Sequence, residues 1–80
     1  MPSEVNGEFV IIGPQSFGLA IREFRNNEGV TQIELAEKSG LNRSYIAELE
    51  NGSTTNAVKY IVDACRALDL EIIVRPCSKG

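Results

Sequence analysis

The chain has 80 residues, of which 42% are hydrophobic, and this length allows one domain with one small core. Acidic residues outnumber basic residues by 11 to 8, and the resulting net charge of −3 counts against non-specific binding to nucleic acid. No apolar run approaches the roughly 18 residues that cross a bilayer. The first ten residues show no signal-peptide pattern, so a cytoplasmic protein without a membrane segment is expected.

Metal and catalytic chemistry are both disfavoured by the residue inventory. The chain has no histidine, and its two cysteines, Cys65 and Cys77, do not have metal-ligand spacing. No nucleophile–base pair and no phosphate-binding loop can be identified. We therefore expect two free thiols, no metal, no cofactor and no enzymatic activity.

The first 15 residues are predicted to form an arm with a short strand. A loose arm ends at the turn signal Asn6-Gly7. The β-branched run at 8–12 predicts a strand, which Gly13-Pro14 ends. A helix is then predicted from an N-cap at Ser16 to about Asn27, with an apolar face that contains Phe17, Ala20, Ile21 and Phe24.

Two short helices with a tight turn between them are predicted next. Thr31 and Glu34 have the spacing of a capping box at the start of the first. Gly40 can end that helix in the left-handed conformation. Asn42 is the predicted cap of the following helix. The apolar residues of this segment that are expected to face inward are Leu35, Ala36, Leu41, Ile46 and Leu49.

A fourth helix of about 13 residues and a final strand complete the chain. The expected inner stripe of this helix contains Val58, Ile61, Val62, Cys65 and Leu68. The β-branched run "LEIIVRP" predicts a strand within residues 70–80, the third segment of the chain.

Residues 31–52 resemble the helix-turn-helix of phage-repressor/Cro-type proteins, the XRE family. Eight residues stand at the family's spacing: Gln32, Leu35, Ala36, Gly40, Leu41, Ile46, Glu50 and Gly52. The resemblance extends over residues 16–69 and implies a mainly α fold. It would have four or five helices with short N- and C-terminal strands, and it would bind DNA.

The segments on either side of the helices are similar to those of HipB-type antitoxins. The similar features are the strand before Gly13-Pro14, "FGLAIREFR" in the first helix and "RALDLEIIVRP" after the fourth. The resemblance implies a homodimer that represses its own operon and binds a HipA-like kinase toxin. Dimerisation would use the C-terminal strand, through Glu71, Ile72, Ile73, Val74 and Arg75.

The third helix is the expected recognition helix, because the second helix of such a pair lies in the major groove. Arg43 can donate two hydrogen bonds to guanine, and Glu48 can accept one from cytosine. The expected base contacts are Asn42, Arg43, Ser44, Tyr45 and Glu48. The alternative is that Arg43 and Glu48 belong to a solvated helix face.

Phosphate contacts are expected from neutral donors at helix starts and in the loop after the third helix. These residues are Gln32, whose role the resemblance implies, and Asn51, Ser53, Thr54 and Thr55. The resemblance also implies a partly buried structural ion pair between Arg25 and Glu50.

Three functions remain open from the sequence. The first is a repressor of a near-palindromic double-stranded operator that is also an antitoxin. The second is a stand-alone XRE-family regulator. The third is a protein-interaction module that retains the fold without binding DNA, which the acidic balance favours and the polar set around Arg43 and Gln32 disfavours.

Overall fold

The computed structural model describes residues 4–5, 7–53 and 55–77. The helices are α1 (Pro14–Asn27), α2 (Gln32–Ser39), α3 (Arg43–Glu50) and α4 (Asn56–Ala67). The strands are β1 (Glu4–Val5), β2 (Glu8–Ile11) and β3 (Ile72–Val74). The predicted mainly α fold with terminal strands is confirmed, with four helices in the described residues. None of these helices is both long and apolar enough to cross a membrane.

The strands form one antiparallel sheet in the order β1-β2-β3. Opposite β2, Phe9 pairs with Val74 and Ile11 pairs with Ile72. The prediction of a loose N-terminal arm is wrong for β1, which pairs with the other edge of β2. Gly7 at φ 77° supplies the left-handed residue of the connecting turn, while Asn6 lies outside the described residues.

The core lies between the sheet, α1 and α4. Phe9 and Ile11 point to the same face of β2 because side chains alternate along a strand, and they pack with Ala20 and Val62. Partly buried side chains surround this cluster: Phe17, Phe24, Val58, Ile72 and Val74. Strands β2 and β3 therefore cover the side of the helical domain on which α1 and α4 meet.

Helix α1 begins two residues before the predicted cap at Ser16. Pro14 occupies the first turn, where its fixed φ suits the helix and its missing N–H is not needed. The buried Ser16 hydroxyl instead accepts a hydrogen bond from the Ile12 N–H at 3.2 Å. Ser16 thus joins the end of β2 to α1.

Helices α1 and α3 approach closely at Gly18. A Cβ atom on this residue would lie 1.8 Å from the carbonyl oxygen of Leu49. No side chain fits in that space, so glycine is what allows α3 to rest on α1 at this depth.

Three residues predicted to face the core are exposed: Leu41 at 44%, Ile61 at 59% and Leu68 at 71%. At about 100° per residue, the core-facing residues Val58 and Val62 lie roughly 60–120° around α4 from Ile61 and Leu68. Apolar spacing alone did not separate these two neighbouring faces. Leu41 lies in the turn between α2 and α3, where it is not covered by another element.

Candidate nucleic-acid interface

The predicted capping box sets the start of α2. The Thr31 hydroxyl accepts from the Glu34 N–H at 3.1 Å, and the Glu34 carboxylate accepts from the Thr31 N–H at 2.9 Å. These bonds from Thr31 hold the pKa of Glu34 below its ordinary value. Gly40 ends the helix at φ 78°. Both ends of α2 are thereby fixed, and with them the entry of the chain into α3.

Helix α3 is held by two buried residues, and its first three residues are exposed. Ile46 and Glu50 are 2% and 3% exposed, and they turn toward α1 and α2. All five predicted base-contact residues lie on the exposed surface: Asn42, Arg43, Ser44, Tyr45 and Glu48. Four of them lie at and just after the N-terminus of the expected recognition helix, and Glu48 lies one turn beyond Ser44.

The cap of α3 differs from the prediction. Asn42 is the N-cap residue, but its side chain makes no capping hydrogen bond. Its backbone carbonyl accepts from the N–H groups of Tyr45 and Ile46, at 3.0 and 3.2 Å. The backbone conformation alone starts the helix, so the Asn42 amide can interact with a ligand.

Glu50 anchors the end of α3 to the end of α1. Arg25 donates to both carboxylate oxygens of Glu50, at 2.6 Å from Nε and 2.9 Å from Nη2, so the implied ion pair is present. Arg25 also donates to the Val30 carbonyl at 2.9 Å. The Arg25 hydrogen bonds, assisted by one from Gln32, hold the pKa of Glu50 below its ordinary value despite burial.

Sequence reasoning did not identify Arg22 as part of this cluster. Its guanidinium donates to the Glu50 carbonyl at 3.1 Å, and its Nε lies 3.6 Å from a Glu50 carboxylate oxygen. The available signal was the spacing of Arg22 and Arg25, three residues apart and so on one side of α1.

The Gln32 side chain lies between the buried Glu50 and the exposed Arg43. Its Nε2 donates to Glu50 at 3.1 Å, and its Oε1 is 3.5 Å from Nη1 of Arg43. One amide hydrogen is thus engaged internally, and the second can still reach a phosphate. Next to Gln32, a crevice of about 450 Å³ opens between α1 and the starts of α2 and α3, with Arg25, Thr31 and Arg43 in its wall.

The loop between α3 and α4 carries the other predicted phosphate donors. Asn51, Ser53 and Thr55 are exposed there, whereas Thr54 lies outside the described residues. The Thr55 hydroxyl accepts a capping bond from the Val58 N–H at 3.4 Å and can still donate its own hydrogen. These donors follow the C-terminus of α3, whereas Gln32 lies at the N-terminus of α2, so a DNA backbone could be held from both segments.

The predicted dimerisation strand is paired within its own chain along one edge. Ile72 and Val74 pack on the core, whereas Ile73 is 43% exposed. Glu71 is exposed, and Arg75 forms an exposed ion pair with Glu8 at 3.4 Å. Within β3 itself, the outer backbone edge and the Ile73 side chain are the parts that remain available to a second subunit.

No group of three potential metal ligands occurs in the described part of the chain. Cys65 is half-buried, Cys77 is exposed, and both are free thiols.

The comparisons with known proteins agree with this geometry. Residues 21–73 match the helix-turn-helix family model. An uncharacterized HTH-type transcriptional regulator, y4dL, of Sinorhizobium fredii is 39% identical over 56 residues, which are 70% of this chain and 29% of that protein. The HTH-type transcriptional regulators SinR of Bacillus subtilis and Bacillus licheniformis are each 30% identical over 56 residues, or 69% of this chain and 50% of each relative.

The matched region is thus half or less of each curated relative. No solved structure shows significant similarity to the chain.

Proposed function

Since the chain belongs to the XRE-type helix-turn-helix family of DNA-binding regulators, we propose that it is a sequence-specific transcriptional repressor that reads operator DNA with α3. The observation that carries this proposal is that buried residues hold α3 in place while its first turn is exposed. Glu50 and Ile46 are buried and fix the helix, while Arg43 and its polar neighbours remain exposed. A rigid helix with an exposed N-terminal half is what major-groove reading requires.

The exposed residue types suit base recognition. Arg43 can form a bidentate contact with guanine, and Gln32 supports its guanidinium from α2. Ser44 can donate or accept, and Tyr45 offers a hydroxyl to a phosphate or a ring to a thymine methyl group. Glu48 can accept from cytosine N4. Arg43 is the only cation in this set, so it should contribute most to base preference.

The acidic balance of the chain is compatible with this function. Neutral donors supply many of the proposed phosphate contacts: Gln32 from the start of α2, and Asn51, Ser53 and Thr55 from the loop after α3. A grip of this kind releases few counterions, so each subunit should bind with a shallow salt dependence. Two subunits on two half-sites would restore affinity.

The proposed binding unit is a homodimer on a near-palindromic site. Each recognition helix must enter the same face of the duplex, which places half-sites about one helical turn apart. Selection of bound sequences from a random double-stranded pool, followed by footprinting, tests this directly. A symmetric pair of half-sites supports the proposal, and a single asymmetric half-site contradicts the dimeric mode.

A finer proposal is that the chain is the antitoxin of a HipA-like kinase toxin and represses the operon that encodes both. Its support is the arrangement of strands around the helices and the exposed acidic residues outside α3, which include Glu23, Glu28, Asp63, Asp69 and Glu71. Surplus negative charge suits a basic partner surface. The kinase would then bind without displacing operator DNA.

Capture from the native host distinguishes the finer proposal from a stand-alone regulator. A kinase that co-purifies and binds together with operator DNA supports the antitoxin function. Operator binding without such a partner favours the stand-alone regulator. Partner binding with no selected DNA sequence would instead indicate an interaction module.

A further inference from the structure

Helix α4 carries a second apolar stripe that the chain itself does not cover. It contains Ala57, Ile61 and Ala64 of the helix and the C-cap residue Leu68, whose spacing of four, three and four residues places them on one side. All four are exposed. Tyr60, next to Ile61 in the chain, is 63% exposed, and Leu70, two residues after Leu68, is 54% exposed. Contiguous exposed apolar residues of this kind mark an interaction surface.

The charged residues of α4 are all on the opposite side of the helix. Lys59 and Asp63 form an ion pair with each other at 3.1 Å. Arg66 donates to the Ile12 carbonyl at 3.2 Å. An ordinary solvated helix face carries charges, so the stripe has the character of a face that is covered in the assembled protein.

An apolar crevice adjoins the stripe at Ile61. Its volume is about 260 Å³, and it is lined only by apolar residues: Phe17, Gly18, Ile21, Leu49, Val58 and Ile61. A large apolar side chain from a neighbouring molecule could extend into this space from the N-terminal half of α4.

We propose that the stripe packs antiparallel against the same stripe of a second copy of this chain, about a two-fold axis between Val62 and Asp63. That axis places Ala57 opposite Leu68 of the second copy and Ile61 opposite Ala64. Each small residue faces a large one, so the two helices can interdigitate at close range. A two-fold interface must be self-complementary in this way, and the stripe meets that condition over its whole length.

The stripe is a better candidate than the edge of β3. Ile72 and Val74 are already covered within the chain, and β3 already pairs with β2. Leu68 at the end of the stripe is 71% exposed, and in the proposed pair Leu68 of the second copy would lie near Ala57 and the apolar crevice. This inference rests on the proposed function, because a dimer is what two half-sites require.

Cysteine cross-linking tests the arrangement. In full chains that also carry Cys77→Ser, Ala57→Cys is mixed with Leu68→Cys and oxidised. The antiparallel arrangement places these two positions opposite each other, within the reach of a disulfide. Two copies of position 57 would be about 16 Å apart along the helix, from eleven residues at 1.5 Å. We expect the mixture to cross-link and each variant alone not to do so.

Cross-linking of Ala57→Cys with itself would indicate a parallel pair and would overturn the proposal. The absence of cross-linking in the mixture and in each variant alone would exclude this interface. Leu68→Glu should raise the dimer Kd on the order of 100-fold in sedimentation, because it places two charges in an apolar contact. Lys59→Glu, on the charged side of α4, is the matched control and should leave the dimer intact.

Circular dichroism of Leu68→Glu should show an intact fold, since the side chain is exposed in the single chain. A Leu68→Glu chain that remains as dimeric as the wild type contradicts the interface. Binding of a single half-site by the Leu68→Glu monomer, if it depends on Arg43, tests the DNA-binding function independently of the dimer interface.

Discussion

Arg25 of α1 donates hydrogen bonds to both carboxylate oxygens of Glu50 of α3, at 2.6 and 2.9 Å. The Glu50 side chain is only 1% exposed. The pair connects the first helix of the domain to the end of the proposed recognition helix. Because the Arg25 side chain is also largely buried, at 14% exposed, each charge depends on the other for solvation. The orientation of α3 and the stability of the fold are therefore linked through this contact.

Arg25→Ala should destabilise the protein by about 3–5 kcal/mol, since it leaves the buried Glu50 carboxylate without its main partner. Urea unfolding at neutral pH measures the change. Lys59→Ala removes an exposed ion pair with Asp63 and serves as the control, with an expected cost below about 1 kcal/mol. Equal effects of the two substitutions would show that Glu50 is solvated by other groups.

Stability should fall in acid because the pKa of Glu50 is lower in the folded chain than its ordinary value of 4.5. Between these two pKa values the unfolded chain binds more protons, so stability rises with pH there and levels off above the unfolded value. Glu34 acts in the same direction. Urea unfolding over a series of pH values should show the loss as pH falls through 4.5 and below.

The matched variant for the acid series is Glu50→Gln. It should be less stable than the wild type at neutral pH but lose less stability in acid, because one of the depressed carboxyls is absent. Parallel pH profiles for the two proteins would mean that Glu50 does not control the acid response.

Gly18→Ala should destabilise the protein by about 2–3 kcal/mol, because the added Cβ meets the Leu49 carbonyl and forces α1 and α3 apart. Gly13→Ala is the control. Its Cβ would lie 3.5 Å from the Gln15 side chain, which is an ordinary contact, and its φ of −167° is extended backbone. Thermal melts of both variants give the comparison, and a neutral Gly18→Ala would contradict the observed helix approach.

Gln32→Ala should weaken DNA binding without changing which sequences are preferred, because the proposed DNA partner of Gln32 is the phosphate backbone. Binding of the wild type and the variant to a panel of single-base operator variants measures both properties. If Gln32→Ala altered the consensus more than Arg43→Ala, the roles of the two residues would have to be exchanged.

Local signals in the sequence predicted much of the helical framework. The Thr31–Glu34 capping box and the left-handed Gly40 form as expected, since both depend on neighbouring residues alone. Ile46 is buried as its spacing predicts. The wrong assignments depended on how whole elements pack: periodicity showed that α4 is apolar on a broad arc, but the position of α1 and the sheet determines which part of the arc is covered.

The sequence predicted which residues belong to the candidate site better than it predicted the hydrogen bonds between them. The set around Arg43 followed from the helix-turn-helix spacing, and all five of its residues are exposed. The bond from Gln32 to Glu50 and the position of Arg22 join residues that are 18 and 28 apart in sequence. Contacts at such separations depend on tertiary geometry, which local patterns do not specify.

The proposed recognition mode is tested by the effect of Arg43→Ala on binding to a selected operator, measured beside Lys59→Ala, which removes a charge of the same sign from α4. Arg43→Ala should cost about 1–3 kcal/mol of binding free energy per half-site and relax preference at one base pair, while Lys59→Ala should leave the preference unchanged. If Arg43→Ala binds the selected sequence as tightly and as selectively as the wild type, α3 does not read the operator through Arg43 and the proposed recognition mode is wrong.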